Sequence, residues 1–262
     1  MVGQRNRKEV DKMERRVAFK ALVGSHNYNL NHEGSDRDYK VFVIPTFKDL
    51  YQSKRYTKTI ESSMDDVVYH DVRQLKDLLC KSNVNFLEVL FSEDLVFGET
   101  LDSGEGACLM TLFEHREAIA RMNLRYLYQA SLGTFMNRYK YLEAGTQNTQ
   151  HLVEKYGYDT KQAMQCARIL DVLIRYQRQG FTDFKSAIWF SEEEPERLEL
   201  IRIYKGAYTK EEILQYLANK KAYVEQELAP IYRRQELDTQ RADWIESQLM
   251  TLIQSSLLKE LA

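Results

Sequence analysis

The chain has 262 residues, 44 % hydrophobic and 29 % charged, enough for one large domain or two ordinary ones with a buried core. A net charge of −2 excludes a global basic field for nucleic acid, while leaving room for a local basic groove. With 3 Pro and 11 Gly, the composition favours long helices over a turn-rich β sandwich.

The first ten residues, MVGQRNRKEV, contain no apolar signal core. Residues 7–18 read as a charged helix with Val10, Met13 and Val17 on one face. An apolar run over 18–23, closed by Gly24 and Ser25, predicts a buried strand and a tight turn. A polar loop follows. Residues 38–44 (DYKVFVI) then predict a strand covered on both faces and stopped by Pro45. Residues 46–65 read as a loop or lid, and 66–72 (DVVYHDV) as a third strand. Helical spacing resumes at Leu75, Leu78 and Leu79, then at Phe86, Leu87 and Leu90, with Asn83 a candidate cap. Residues 98–106 (GETLDSGEG) are the best linker candidate. Beyond about residue 108 everything reads as helix. Asp159 or Thr160 is placed to cap one, and Thr209 with Glu212 has capping-box spacing. No stretch reaches membrane-spanning length. Cys80, Cys108 and Cys166 form no C-x-x-C pair. Reduced thiols in a cytoplasmic protein with no membrane partner are therefore expected. The plan is a small α/β domain, residues 1–105, followed by an α-helical domain, residues 106–262.

The chemistry concentrates in residues 23–45. Gly24 has no Cβ, so a phosphate can approach the backbone closely. Ser25 offers a hydroxyl beside exposed N–H groups, a suitable cradle for phosphate oxygens. Asp36 and Asp38 stand two apart at the start of a strand, so both carboxylates project to one face. Hard carboxylates so placed suit Mg²⁺, and a third from a neighbouring strand would complete a two-metal site.

Gly-Ser, a ten-residue gap and Asp-x-Asp resemble the signature of the DNA polymerase β nucleotidyltransferase superfamily. Residues 24–38 (GSHNYNLNHEGSDRD) look like a bacterial and phage branch with a pattern similar to G-S-x-x-Y-G-L-x-x-x-x-S-D-x-D. Residues 81–91 (KSNVNFLEVLF) resemble its N-P-N-x-L-E-x-L block, and 156–180 its Y-G-x-x-x-K-x-A-M-x-x-x-R-L helix. Asn29 stands where the branch has Gly, Arg37 where it has an apolar residue, and Gln162 and Gln165 where it often has His. None of these removes a metal ligand.

The resemblance implies an α+β fold, with a small mixed-sheet polymerase β-like domain followed by an α-helical domain. It implies a metal-dependent enzyme moving a nucleotide from a nucleoside triphosphate to an acceptor hydroxyl, with two Mg²⁺ ions (or Mn²⁺) as cofactor. Asp36 and Asp38 would be metal ligands. Gly24, Ser25, Ser35, Lys161 and Arg168 would bind nucleotide. Aligning the branch's D-x-x-x-Y block puts the third carboxylate on Asp66, with Asp65 and Asp71 as alternatives; Asp71 suits a helix N-cap. Glu88 reads equally as a substrate or base partner and as a buried, satisfied carboxylate. RNA, a protein side chain and a small molecule all remain candidate acceptors, and the oligomeric state is open. The alternative function is nucleotide or partner binding without catalysis.

Overall fold

The computed structural model describes residues 15–62 and 65–262. Five strands form one mixed sheet: β1 (Val17–Val23), β2 (Arg37–Val43), β3 (Thr57–Glu61), β4 (Asp65–Asp71) and β5 (Leu95–Phe97), in the order β3-β4-β2-β1-β5. β1 pairs antiparallel with β2 and with β5, β2 runs parallel to β4, and β3 lies antiparallel on the outer edge of β4.

The helices within and just after the sheet are short: α1 (Gly24–Asn27), α2 (Phe47–Tyr51), α3 (Leu75–Cys80) and α4 (Val84–Leu87). Ten more follow: α5 (Ser103–Glu114), α6 (Arg116–Ala120), α7 (Leu124–Tyr139), α8 (Gln150–Tyr156), α9 (Thr160–Arg178), α10 (Phe184–Ile188), α11 (Pro195–Tyr204), α12 (Lys210–Tyr223), α13 (Ala229–Arg233) and α14 (Thr239–Glu260). This is the expected α+β class. Among the described residues no helix is long and apolar enough to cross a membrane.

Caps fall where the side chains predict them. Asn83 accepts from the Asn85 N–H, Asp159 from that of Gln162, and Thr209 and Glu212 close a capping box. Helix α9 runs through the middle of the helical layer, against α7, α10, α11 and α12. One cluster of buried side chains extends from Ala18 and Phe42 of the sheet to Leu249 and Leu252 of α14.

Three expectations need correction. The helix over 7–18 lies mostly outside the described residues. Where it overlaps them, Val17 and Ala18 are strand, paired in β1 against β2 with a bulge before Phe19. Residues 46–65 hold α2, started by a Thr46–Asp49 capping box, and the edge strand β3. All five β3 residues are exposed, so no apolar alternation marked it. The linker over 98–106 becomes helix from Ser103, because Asp102 and Glu105 form a capping box. Glu105 is fully buried between Arg16 and Lys259, each 2.7 Å away.

Candidate active site

β1 ends at Val23 in extended conformation, and Gly24 then turns into the left-handed region at φ +73. A Cβ on Gly24 would lie 2.4 Å from Oδ2 of Asp38, so only glycine lets the turn close onto that carboxylate. The turn is fastened by the Leu30 N–H donating to the Ser25 carbonyl at 2.9 Å and the Glu93 N–H donating to Asn27 Oδ1 at 2.9 Å.

The acids sit where β1 ends and β2 and β4 begin. Asp38 is the direct register partner of Asp66 on the adjacent parallel strand, so both side chains face the same way. The stacking of Phe42 on His70, 5.4 Å apart further along the same pair, follows from that alternation. Asp36 is exposed and lies just before β2. Burial raises the pKa of Asp38, and the charges of Asp66 and Glu88 raise it further, with Lys40 opposing. Negative charge is therefore crowded here and only partly offset by Lys40, and hard oxygen donors in that state suit a divalent ion. Among the described residues, no three His, Cys, Asp or Glu side chains are gathered closely enough to hold a metal. The structure pairs Asp38 with Asp66 and leaves the trio with Asp36 unassembled.

Neither alternative acid shares the sheet face of Asp66. Asp71 is fully buried and caps residues 72–74, accepting from the Arg73 N–H at 3.0 Å and from its guanidinium at 2.8 and 2.6 Å. It lies at the far end of β4 from Asp66. Asp65 alternates onto the opposite face of the sheet, and its N–H donates to Ser62 Oγ at 2.9 Å.

Glu88, left undecided by sequence, is 2 % exposed and reaches under the turn. Its Oε2 accepts the Gly24 N–H at 3.0 Å, and its Oε1 is 3.9 Å from Nζ of Lys40. Gly24 thus contributes closeness to Asp38, while its N–H donates to Glu88. Burial lifts the pKa of the Tyr28 hydroxyl well above its usual value, and Glu88 lifts it further while Arg168 opposes. Arg168 itself is buried, 4.1 Å over the Tyr28 ring, with Nε donating to Gln165 at 2.9 Å and one terminal nitrogen without a hydrogen-bond partner among the described residues. Lys161, expected to act beside it, is exposed. The two cations share a helix face but not an environment.

Ser25 and Ser35 also differ. No hydrogen bond of the Ser25 hydroxyl is found among the described residues, which leaves it available to a ligand. Ser35 Oγ accepts the His32 N–H at 3.0 Å, and the Ser35 N–H donates back to the His32 carbonyl at 3.0 Å, a closed turn leading into Asp36.

The loop over 24–35 is laced to the helical layer. Asn29 adopts φ 59, a conformation that glycine enters freely and asparagine tolerates. Its side chain donates to the Phe190 carbonyl at 2.8 Å, and Arg197 Nε donates to the Asn29 carbonyl at 2.8 Å. Sequence reasoning missed Tyr28, Lys40, Phe190 and Arg197. Of these, Lys40 carried a signal, standing two residues beyond Asp38 on the same face of the strand, and Tyr28 another, as the Tyr of the G-S-x-x-Y pattern.

One cavity, about 380 Å³, is lined by Arg16, Ile44 and Lys259 at the end of the sheet away from the acids. Another, about 200 Å³, adjoins the loop at Leu30, Asn31 and His32.

Comparison with curated proteins finds no match. The profile of the RNA repair pathway DNA polymerase beta family, RlaP, matches residues 2–252. That span takes in the Gly24 turn, the acids of β2 and β4, Glu88 and nearly all of the helical layer, and it supports a nucleotidyltransferase-type function. The chain therefore belongs to the RNA repair pathway DNA polymerase beta family.

Proposed function

We propose that this protein transfers a nucleotidyl group from a nucleoside triphosphate to a hydroxyl at an RNA end, releasing pyrophosphate. The observation that carries the reading is the in-register pair of Asp38 and Asp66 on parallel strands, with the Gly24 turn closed against Asp38. The family's description favours RNA over a protein or small-molecule acceptor.

Asp36, Asp38 and Asp66 would hold Mg²⁺ or Mn²⁺. Bound there, the metal would supply charge stabilisation at the reacting phosphate and leaving pyrophosphate and lower the pKa of the attacking hydroxyl. The Ser25 hydroxyl donates to the triphosphate. Asp66 accepts the proton of the attacking hydroxyl. Glu88 keeps the turn seated against Asp38. Residues 106–262 form the unit that closes over the cleft and selects the acceptor, with residues 1–105 as the catalytic unit. The three cysteines are free, in keeping with a reducing cytoplasm.

A second reading, nucleotide binding without transfer, is favoured by one observation: the three acids are not gathered as a metal set. Incubation with Mg²⁺, an RNA bearing a free 3′ hydroxyl and each NTP labelled at the α-phosphate separates the two. Label on RNA that is absent with Asp36→Ala/Asp38→Ala supports transfer. Label appearing only in added protein or small-molecule fractions refutes the RNA acceptor. Bound NTP with no label in any fraction supports the second reading.

A further inference from the structure

The 200 Å³ cavity beside the active-site loop has walls of two kinds. Leu30, Met164, Leu200 and Ile201 give it an apolar floor, and Asn31, His32, Tyr204 and Lys205 give it a polar and aromatic rim. His32 and Tyr204 lie nearly parallel, ring centroids 5.0 Å apart and planes at 23°. The His32 Nδ1 is 2.8 Å from the Glu33 carbonyl, which can only accept, so Nδ1 carries the proton. Nε2 is then the acceptor for the Tyr204 hydroxyl at 2.8 Å, and this bond fixes the rim.

One cation belongs to the cavity wall, and a second precedes a wall residue along α9. Lys205 lines the cavity, and Lys161 stands one turn before Met164 on α9. Both are exposed, and neither forms an ion pair among the described residues. The wall at residues 31–32 belongs to the closed turn that leads into Asp36. Asp36 stands four positions after His32, a span of at most roughly 14 Å even if extended. One nucleotide bridges such a distance.

We propose that this cavity is the base pocket of the nucleoside triphosphate. An apolar slot walled by aromatic rings takes the flat face of a base, an exposed amide at Asn31 reads its edge, and the two lysines neutralise the phosphates that run from the slot toward Ser25 and Asp38. The assignment rests on the nucleotidyltransferase reading and adds to it where the base sits and what holds it.

The test compares binding of ATP, GTP, CTP and UTP with binding of inorganic tripolyphosphate, which has no base, to wild type and to Tyr204→Leu. In wild type at least one NTP binds more tightly than tripolyphosphate. Tyr204→Leu weakens that NTP about tenfold or more, the loss expected of a stacking partner, and leaves tripolyphosphate unchanged. Equal weakening of both ligands, or no weakening, overturns the pocket. Crosslinking of 8-azido-ATP to the wild-type protein needs no variant. Label on peptides containing residues 30–32 or 200–205 supports the assignment, and label confined elsewhere overturns it. If the labelled-NTP assay shows transfer while these tests fail, the pocket is wrong and the enzyme reading stands.

Discussion

Glu88→Ala is the most informative single perturbation. Its side chain is 2 % exposed, so no water replaces it readily. Truncation leaves the Gly24 N–H without its 3.0 Å acceptor, a loss of about 1–3 kcal/mol. It also strips Lys40, whose side chain is 14 % exposed, of the carboxylate 3.9 Å away. Removing one partner of a buried pair costs about 3–5 kcal/mol. The low end applies here, because 3.9 Å is long and Lys40 still donates to the Asn85 carbonyl and sits over the Phe86 ring. The two losses overlap, giving about 3 kcal/mol in all, or a fall in melting temperature of roughly 6–12 °C for a chain of this size. Glu88→Gln keeps an acceptor for Gly24 and should cost about a third as much. The double variant Glu88→Ala/Lys40→Met should recover part of the loss, because no buried ammonium is then left alone. Urea denaturation of the four proteins reads these differences directly. A Glu88→Ala variant within about 0.5 kcal/mol of wild type would show that the turn does not depend on this carboxylate.

Three further outcomes follow from the same geometry. Gly24→Ala meets Asp38 at 2.4 Å in a left-handed backbone, and should lose about 1–3 kcal/mol of stability by thermal melt together with transfer activity; wild-type behaviour in both would mean that the turn is not tight. Asp38→Asn should abolish transfer yet stabilise the fold at neutral pH. Burial, with Asp66 and Glu88, raises the folded pKa of Asp38, so ionisation disfavours the native state and stability is lost as pH rises through that range; an equal or lower melting temperature at pH 7 counts against the crowding argument. Burial pushes Glu105 up, but Arg16 and Lys259 outweigh it and hold its pKa at about 2 against an ordinary 4.5. Its contribution is therefore complete above 4.5 and fades as pH falls toward 2, so wild type and Glu105→Gln should converge in stability across that window, and a constant gap would refute the linkage.

Much of the active-site region was legible in the sequence because its residues are neighbours along the chain. Gly24, Ser25, Asp36 and Asp38 fall within fifteen positions, and strand alternation alone predicts which way Asp38 points. The D-x-x-x-Y block already pointed to Asp66, but its place directly opposite Asp38 depends on a strand pairing that the sequence does not display. Glu88 stayed undecided because its partner, the Gly24 N–H, lies 64 residues away and is a backbone group that no side-chain pattern announces. β3 was invisible because an edge strand exposed at all five positions has no core to impose a period. The glycines at 104 and 106 suggested a linker. The buried Glu105 between them, held by residues near both ends of the chain, made it the start of a helix.

The lacing of Asn29 to Phe190 and Arg197 has a mechanical consequence. With the Phe190 N–H also donating to the Tyr28 carbonyl at 3.0 Å, three bonds tie two consecutive loop residues to the helices. The loop is thus a strut and not a flap. A displacement of the loop at Tyr28 or Asn29 would therefore be carried to Phe190 and, through Arg197, to α11.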